Sequence, residues 1–126
     1  MDLPCPCGTG RAYATCCHPL HRGDVADDAA ALMRSRYSAY VLGLDGYLLD
    51  SWHPDTRPAV VALEAGVRWL GLEVKRHEAE GPDRAVVAFV ARYRVGGGRA
   101  VRHRETSRFR RVDGRWFYLD GEVDIG

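Results

Sequence analysis

The sequence predicts an α+β protein, with N-terminal helices followed by a four-stranded antiparallel sheet. Three observations carry this expectation. A helical apolar period runs through "GDVADDAAALMRSRYSAYVLG", and from residue 67 a period of two takes over. Asp113-Gly114 then stands between two strand-like runs as a two-residue hairpin loop.

In the first helix, Asp24 is the expected N-cap, Asp27 and Asp28 favour the first turn, and Gly43 is the expected C-cap. Met33, Tyr37, Tyr40 and Val41 fall on one apolar stripe. "DGYLLDSW" reads as a second, shorter helix. It breaks at His53-Pro54, since the residue before a proline is pushed out of the helical region. "RPAVVALEAG" predicts a third short helix ending near Gly66. The strands are "VRWLGLEVKRHE", "RAVVAFVARYRV", "AVRHRETSRFRRV" and "RWFYLDGEV", with turns at "EGPD", "GGGR" and Asp113-Gly114.

The last hairpin sets a register. With Asp113-Gly114 as the turn, Val112 pairs with Arg115, Arg111 with Trp116, Phe109 with Tyr118 and Ser107 with Asp120. One face then carries His103, Glu105, Ser107, Phe109, Trp116, Tyr118 and Asp120. The other carries Arg102, Arg104, Arg108, Arg110 and Arg115 with Phe117 and Leu119. Four arginines on one strand face do not point into a core, so that face is outermost. Val87, Phe89, Ala91 and Tyr93 share the inner face if the loop around the glycines has an odd length.

The bulk composition narrows the function classes. A chain of 126 residues fits one domain of ordinary size, and 46% apolar residues suffice for a core without crosslinks. A net charge of +1 does not by itself demand nucleic acid or an anionic membrane. There is no apolar run long enough to span a bilayer and no basic-then-apolar leader, so no membrane insertion and a cytoplasmic location are expected.

Chemistry concentrates at the start. All four cysteines, Cys5, Cys7, Cys16 and Cys17, fall in "CPCGTGRAYATCC". Disulfides fit poorly, because adjacent cysteines would close a strained ring and a reducing compartment disfavours cross-pairing. Two short sulfur pairs joined by an eight-residue loop suit a tetrahedral Zn²⁺, with Gly8 and Gly10 turning the backbone between them. Iron is the alternative metal, and a set of metal-free thiols the bland reading. His18 is the runner-up fourth ligand in place of Cys17. Zn²⁺ with four thiolates carries a net charge of about −2, which Arg11 is placed to offset in part.

"CPCGTGRAYATCC" resembles the SEC-C motif, a small zinc-binding element also found at the C-terminus of the SecA translocation motor. "ALMRSRYSAYV", "YLLDSWHPDTRP", "RWLGLEV" and "RETSRFRRVDGRWFYLDG" make the rest of the chain similar to the bacterial YchJ family. Thr9 stands where the motif usually has serine, and Arg104 where the family often has histidine. The resemblance implies a cone like that of nuclear transport factor two, a curved sheet wrapped round helices. It implies two units, a zinc knuckle over residues 1–22 and a cone over 23–126.

Two functional expectations follow. The first is a zinc-binding adaptor whose knuckle docks a protein partner, linked to protein export, a chaperone or the ribosome, as the motif in SecA engages an export chaperone. A closed four-thiolate shell argues against metal catalysis. The second is a small-molecule binder or enzyme, with Glu105, His103 and Asp120 as acid/base candidates and Trp52, His53 and Arg57 at a pocket mouth. A carboxylate desolvated beside aromatic rings can have a raised pKa. The structural reading of Glu105 is that it accepts hydrogen bonds from Tyr40, Tyr118 or Arg36 and ties helix to sheet. The row Arg102, Arg104, Arg108 and Arg110 reads either as a surface for nucleic acid or ribosomal RNA, or as a solvated face with scattered ion pairs.

Overall fold

The computed structural model describes residues 3–124. A 3₁₀ turn (Tyr13–Thr15) and a short helix α1 (His18–His21) close the N-terminal knuckle. Helices α2 (Ala29–Leu42) and α3 (Asp45–Asp50) follow, then strands β1 (Val67–Ala79), β2 (Arg84–Val95), β3 (Val101–Val112) and β4 (Arg115–Asp124). The strands form one antiparallel sheet in the order β1-β2-β3-β4. Irregular steps between Trp69 and Gly71, between Val74 and Arg76, and between Arg108 and Phe109 interrupt the ladders. Such bulges bend strands, and here the sheet curves around α2.

Helix α2 starts later than the sequence predicts. Asp28, not Asp24, is the N-cap, its side chain accepting from the Ala31 amide at 2.8 Å. Ala26 is buried, so the chain runs extended into the core before the helix begins. Gly43 ends the helix as expected, with φ +74°. The apolar stripe is incomplete, since Met33 and Tyr37 are buried whereas Val41 is 37% exposed. Ser35, Arg36 and Ser38 are buried as well. The helix lies between the sheet on one side and the knuckle on the other, so polar groups on both flanks are covered.

The predicted third helix does not form. Residues 58–65 have neither helical nor strand hydrogen bonding. A ten-residue segment with two adjacent β-branched valines and no cap has little to offset the cost of nucleating a helix. The segment instead reaches from the edge of β4 to the start of β1. At that edge His53 donates its amide to Tyr118 O and Tyr118 donates to Ser51 O, a parallel bridge beside β4. His53 thereby covers Phe117 at 6.1 Å, which accounts for one of the apolar residues on the outer face.

The β3–β4 register holds at the turn and shifts further along. Val112 pairs with Arg115, Arg111 with Trp116 and Phe109 with Tyr118, and Asp113 and Gly114 both have positive φ. Beyond Phe109 a bulge at Leu119 moves β4 by one residue, so Ser107 faces Gly121 and Asp120 pairs with Arg108. Asp120 therefore lies on the outer face, opposite to the expectation. On β2, Val87, Phe89 and Ala91 are buried on the inner face, facing Ser107, Glu105 and His103 across the ladder. Among the described residues, no helix is long and apolar enough to cross a membrane.

Candidate metal centre and inner-face cavity

The knuckle is a miniature hairpin closed by a helical turn. Cys5 donates to Arg11 O and Tyr13 to Leu3 O, while Pro4 and Ala12 form the bridge. Gly8 and Gly10 sit at φ +82° and +84°, a left-handed backbone that other residues rarely adopt, and this folds the loop back. Cys17 then caps α1, its carbonyl accepting from His21.

This fold brings the four Sγ atoms of Cys5, Cys7, Cys16 and Cys17 within 4.8 Å of one another, and all four are free thiols. Cys7 and Cys16 are 3.6 Å apart at sulfur. Sulfurs around a tetrahedral Zn²⁺ stand about 3.8 Å apart, as a Zn–S bond of about 2.3 Å requires. The donor set therefore fits one tetrahedral metal ion. Hydrogen bonding from Cys17 draws the Cys7 thiol down to about 4, and that donation together with burial pushes Cys17 up. His18 stands outside the four-sulfur group, its ring packed on Tyr13 at 5.2 Å.

The cluster is built into the body of the protein. Cys5, Cys7 and Cys17 belong to the same buried group as Leu32, Met33, Tyr37 and Phe109. Ser38 of α2 donates to Cys17 Sγ at 3.3 Å and lies 3.6 Å from Cys5 Sγ. Arg34 donates to Cys7 O at 3.2 Å, bringing a cation beside the thiols, whereas Arg11 turns to Thr15 O. His21 ties knuckle to helix: Tyr13 donates to its Nδ1 at 2.7 Å and its Nε2 donates to Ser35 O at 2.8 Å. Burial holds the His21 pKa below its ordinary value, as a neutral ring in that bridge requires. Sequence reading missed Arg34, Ser38 and His21. The spacing of Arg34 and Ser38 places them on one helical face, but nothing local says which partner that face meets.

Helix α2, residues 62–64 and the inner face of the sheet line a half-open cleft of about 400 Å³. Its wall includes Glu105 and His103, joined at 2.9 Å, but Asp120 is outside, paired with Arg108 at 2.6 Å. Trp52 lines the cavity; His53 turns away to Phe117, and Arg57 donates to Trp52 O. Glu105 accepts from His103, Ser107 and Tyr118. Burial pushes its carboxyl up, but these hydrogen bonds outweigh it and leave the pKa below the ordinary value. The raised pKa that general-acid work needs is not found here. Of the donors expected for Glu105, Tyr118 serves; Arg36 instead donates to Leu48 O and Ser51 Oγ and stacks on Trp52 and Tyr118.

On the outer face, Arg108 meets Asp120 and Glu122, and Arg110 stands 3.7 Å from Asp55. Arg102 and Arg104 border a second depression with Lys75, Arg92 and Glu73. The arginine row is thus partly neutralised by ion pairs.

Four clustered thiols, set in a knuckle that could hold a metal ion, precede a cone-shaped α+β domain. The chain belongs to the YchJ family. The family model described as YchJ, middle NTF2-like domain, matches residues 28–121, and the SEC-C motif matches residues 3–19. A UPF0225 protein of Xanthomonas campestris is 60% identical over 119 residues, covering 93% of this chain and 92% of that protein. One from Methylibium petroleiphilum is 56% identical, covering 97% and 90%. The solution structure of a SEC-C motif containing protein from Rhodopseudomonas palustris superposes with a TM-score of 0.87 at 38% identity, over 97% of this chain and 99% of that one.

Proposed function

We propose that the chain is a zinc-binding adaptor. Cys5, Cys7, Cys16 and Cys17 hold one Zn²⁺, and the metal-set rim of the knuckle docks a protein partner. The observation that carries this reading is the contrast within the knuckle. Its sulfurs are drawn together and largely buried, while Leu3 is 75% exposed and residues 8–11 lie on the surface. Four thiolates close the coordination shell and leave no position for water or substrate, so the ion acts as a brace. The similar motif in SecA engages an export chaperone, and a partner in protein export, chaperoning or translation is the extension drawn from it. The half-neutralised arginine row gives a nucleic-acid partner less support.

Metal content by mass spectrometry on anaerobically purified protein, with thiol counting before and after chelation, tests the first half. One zinc per chain, with four thiols reactive only after chelation, is expected; one iron would replace the metal, and none would end the reading. The second half is tested by partner capture with Leu3→Asp, which leaves every sulfur in place. Capture is expected to fail in that variant while zinc content stays at one per chain. Equal capture by wild type and Leu3→Asp would remove the rim as the docking surface.

A further inference from the structure

The outer face of the sheet divides into two halves of different charge. Beside β4 the arginines are answered: Arg108 meets Asp120 and Glu122, and Arg110 stands near Asp55. Over β1, β2 and the start of β3 they are not. Arg92, Arg102 and Arg104 are exposed, and among the described residues none of the three has an ion-pair partner.

The backbone holds these charges together. Arg92 and Arg102 are directly opposite each other in the β2–β3 ladder, and Arg104 follows on the same face beside Val90. Like charges directly opposite destabilise a sheet, so this pairing is unfavourable in the absence of an anion. Space for Arg92 comes from Gly71, its neighbour on β1. A Cβ on Gly71 would stand 2.9 Å from Arg92 Nη2, so a larger residue there would displace the guanidinium. Val90 floors a depression of about 300 Å³, which the three arginines border with Lys75 and Glu73.

Four cations thus surround one carboxylate. Glu73 is taken by Lys75 at 2.8 Å. That hydrogen bond, with the charges of Lys75, Arg102 and Arg92, holds its carboxyl below the ordinary value. Arginines of β3 and β2 therefore act on a group on β1, across the depression. On the far side Asp124 stands opposite Arg104 in register. The excess is three positive charges in the lining, or two with Asp124 counted. One phosphate group brings about 1.5–2 negative charges, and a linked pair brings more. The rims on β1 and β3 are two strand spacings apart, about 9–10 Å, which a linked pair bridges more readily than a single phosphate. Tetrahedral phosphates also accept from several directions at once, whereas a planar carboxylate presents one edge to one arginine fork. A nucleic-acid strand crossing the sheet would run onto Asp120 and Glu122 of β4, so the face suits a compact ligand.

We propose that this depression binds a diphosphate group, either free inorganic diphosphate or the diphosphate of a nucleotide. Arg102 and Arg104 hold it from β3 and Lys75 from β1, while Arg92, seated over Gly71, closes one end.

The full chain, ¹⁵N-labelled and at fixed ionic strength, is titrated with inorganic phosphate, inorganic diphosphate, ADP, citrate and single-stranded oligouridylate. Inorganic diphosphate is expected to shift the Val90, Arg92, Arg102 and Arg104 amides saturably and leave those of the knuckle in place. Phosphate and citrate are expected to bind at least roughly tenfold more weakly. ADP is expected to act on the same amides; an affinity above that of inorganic diphosphate identifies the nucleotide as the source, and one at or below it the free anion. Arg102→Gln is expected to weaken diphosphate on the order of tenfold. Arg84→Gln, which removes an equally exposed charge at the far end of β2, is expected to leave it unchanged. No saturable shift with diphosphate, or phosphate or citrate binding as tightly, would overturn the proposal. So would equal weakening by Arg102→Gln and Arg84→Gln, which would reduce the effect to net charge. Tighter binding of the oligonucleotide at the same amides would also overturn it, by making the face a nucleic-acid surface.

Discussion

A Cβ on Gly121 would stand 2.9 Å from the Cδ of Glu105, so the carboxylate occupies the place where any other residue would put a side chain. The β4 bulge creates this relationship by setting Gly121 opposite Ser107. Gly121→Ala must push Glu105 away from Ser107 and Tyr118. A loss of about 1–3 kcal/mol in urea denaturation is expected. Gly97→Ala is the control, with open space around the added methyl, and is expected to stay within about 0.5 kcal/mol of wild type.

Glu105 should also give acid stability a recognisable shape. Its folded pKa lies below the ordinary value of 4.5, so its ionised form is favoured in the folded state. That contribution is fully present above the unfolded value and is lost as pH falls through the folded one. In pH-dependent denaturation, wild type should exceed Glu105→Gln by a constant margin near neutrality. The margin should shrink below pH 4.5. A margin independent of pH would show that the carboxylate's charge is not what stabilises.

Arg36 is a buried cation with no carboxylate within salt-bridge distance among the described residues. Its charge rests on Leu48 O, Ser51 Oγ and two aromatic faces. Arg36→Ala is expected to cost on the order of 3 kcal/mol by opening a void and orphaning those acceptors. Arg36→Met should cost less, because it keeps the packing and removes the burden of a buried charge. Equal losses would mean that the hydrogen bonds matter and the volume does not.

Metal removal should destabilise the whole protein, because the knuckle's sulfurs share the core with α2 and the sheet. Chelation is expected to lower stability by about 3 kcal/mol or more, a fall in Tm on the order of 10 °C. Cys17→Ser should reproduce it. Added zinc should rescue the chelated wild type and leave the variant where it was. Calorimetry showing an unshifted main transition after chelation would separate the knuckle energetically from the cone.

The helix cap offers a local check. Asp28→Ala is expected to cost about 1 kcal/mol and Asp24→Ala close to nothing, since only Asp28 reaches the Ala31 amide.

These contrasts show where sequence was informative. The cysteine group was legible because its ligands are near neighbours and their spacing alone brings them together. The hairpin was legible at Val112, Arg111 and Phe109, because a two-residue turn dictates pairing close to itself. It failed at Asp120, because the bulge at Leu119 needs no special residue type and one extra residue reverses every later side chain. The helix starting at Asp28 hides among three aspartates that all suit a cap, and burial of Ala26 chooses between them. The role of Arg36 was beyond reach, since its partners Leu48, Ser51, Trp52 and Tyr118 come together only in the finished fold.

The seating of the thiols on Ser38 has a consequence in time. Cys5, Cys7, Cys16 and Cys17 are synthesised before the sheet that completes their burial, by roughly 5–20 s at ordinary elongation speeds. Ser38 follows within about 1–4 s, so for most of that interval the thiols await only the strands whose Val87, Phe89 and Phe109 complete their shared core. Their exposure to oxidation is therefore greatest in the nascent chain and falls when folding buries Cys5, Cys7 and Cys17, with Cys16 staying half-buried.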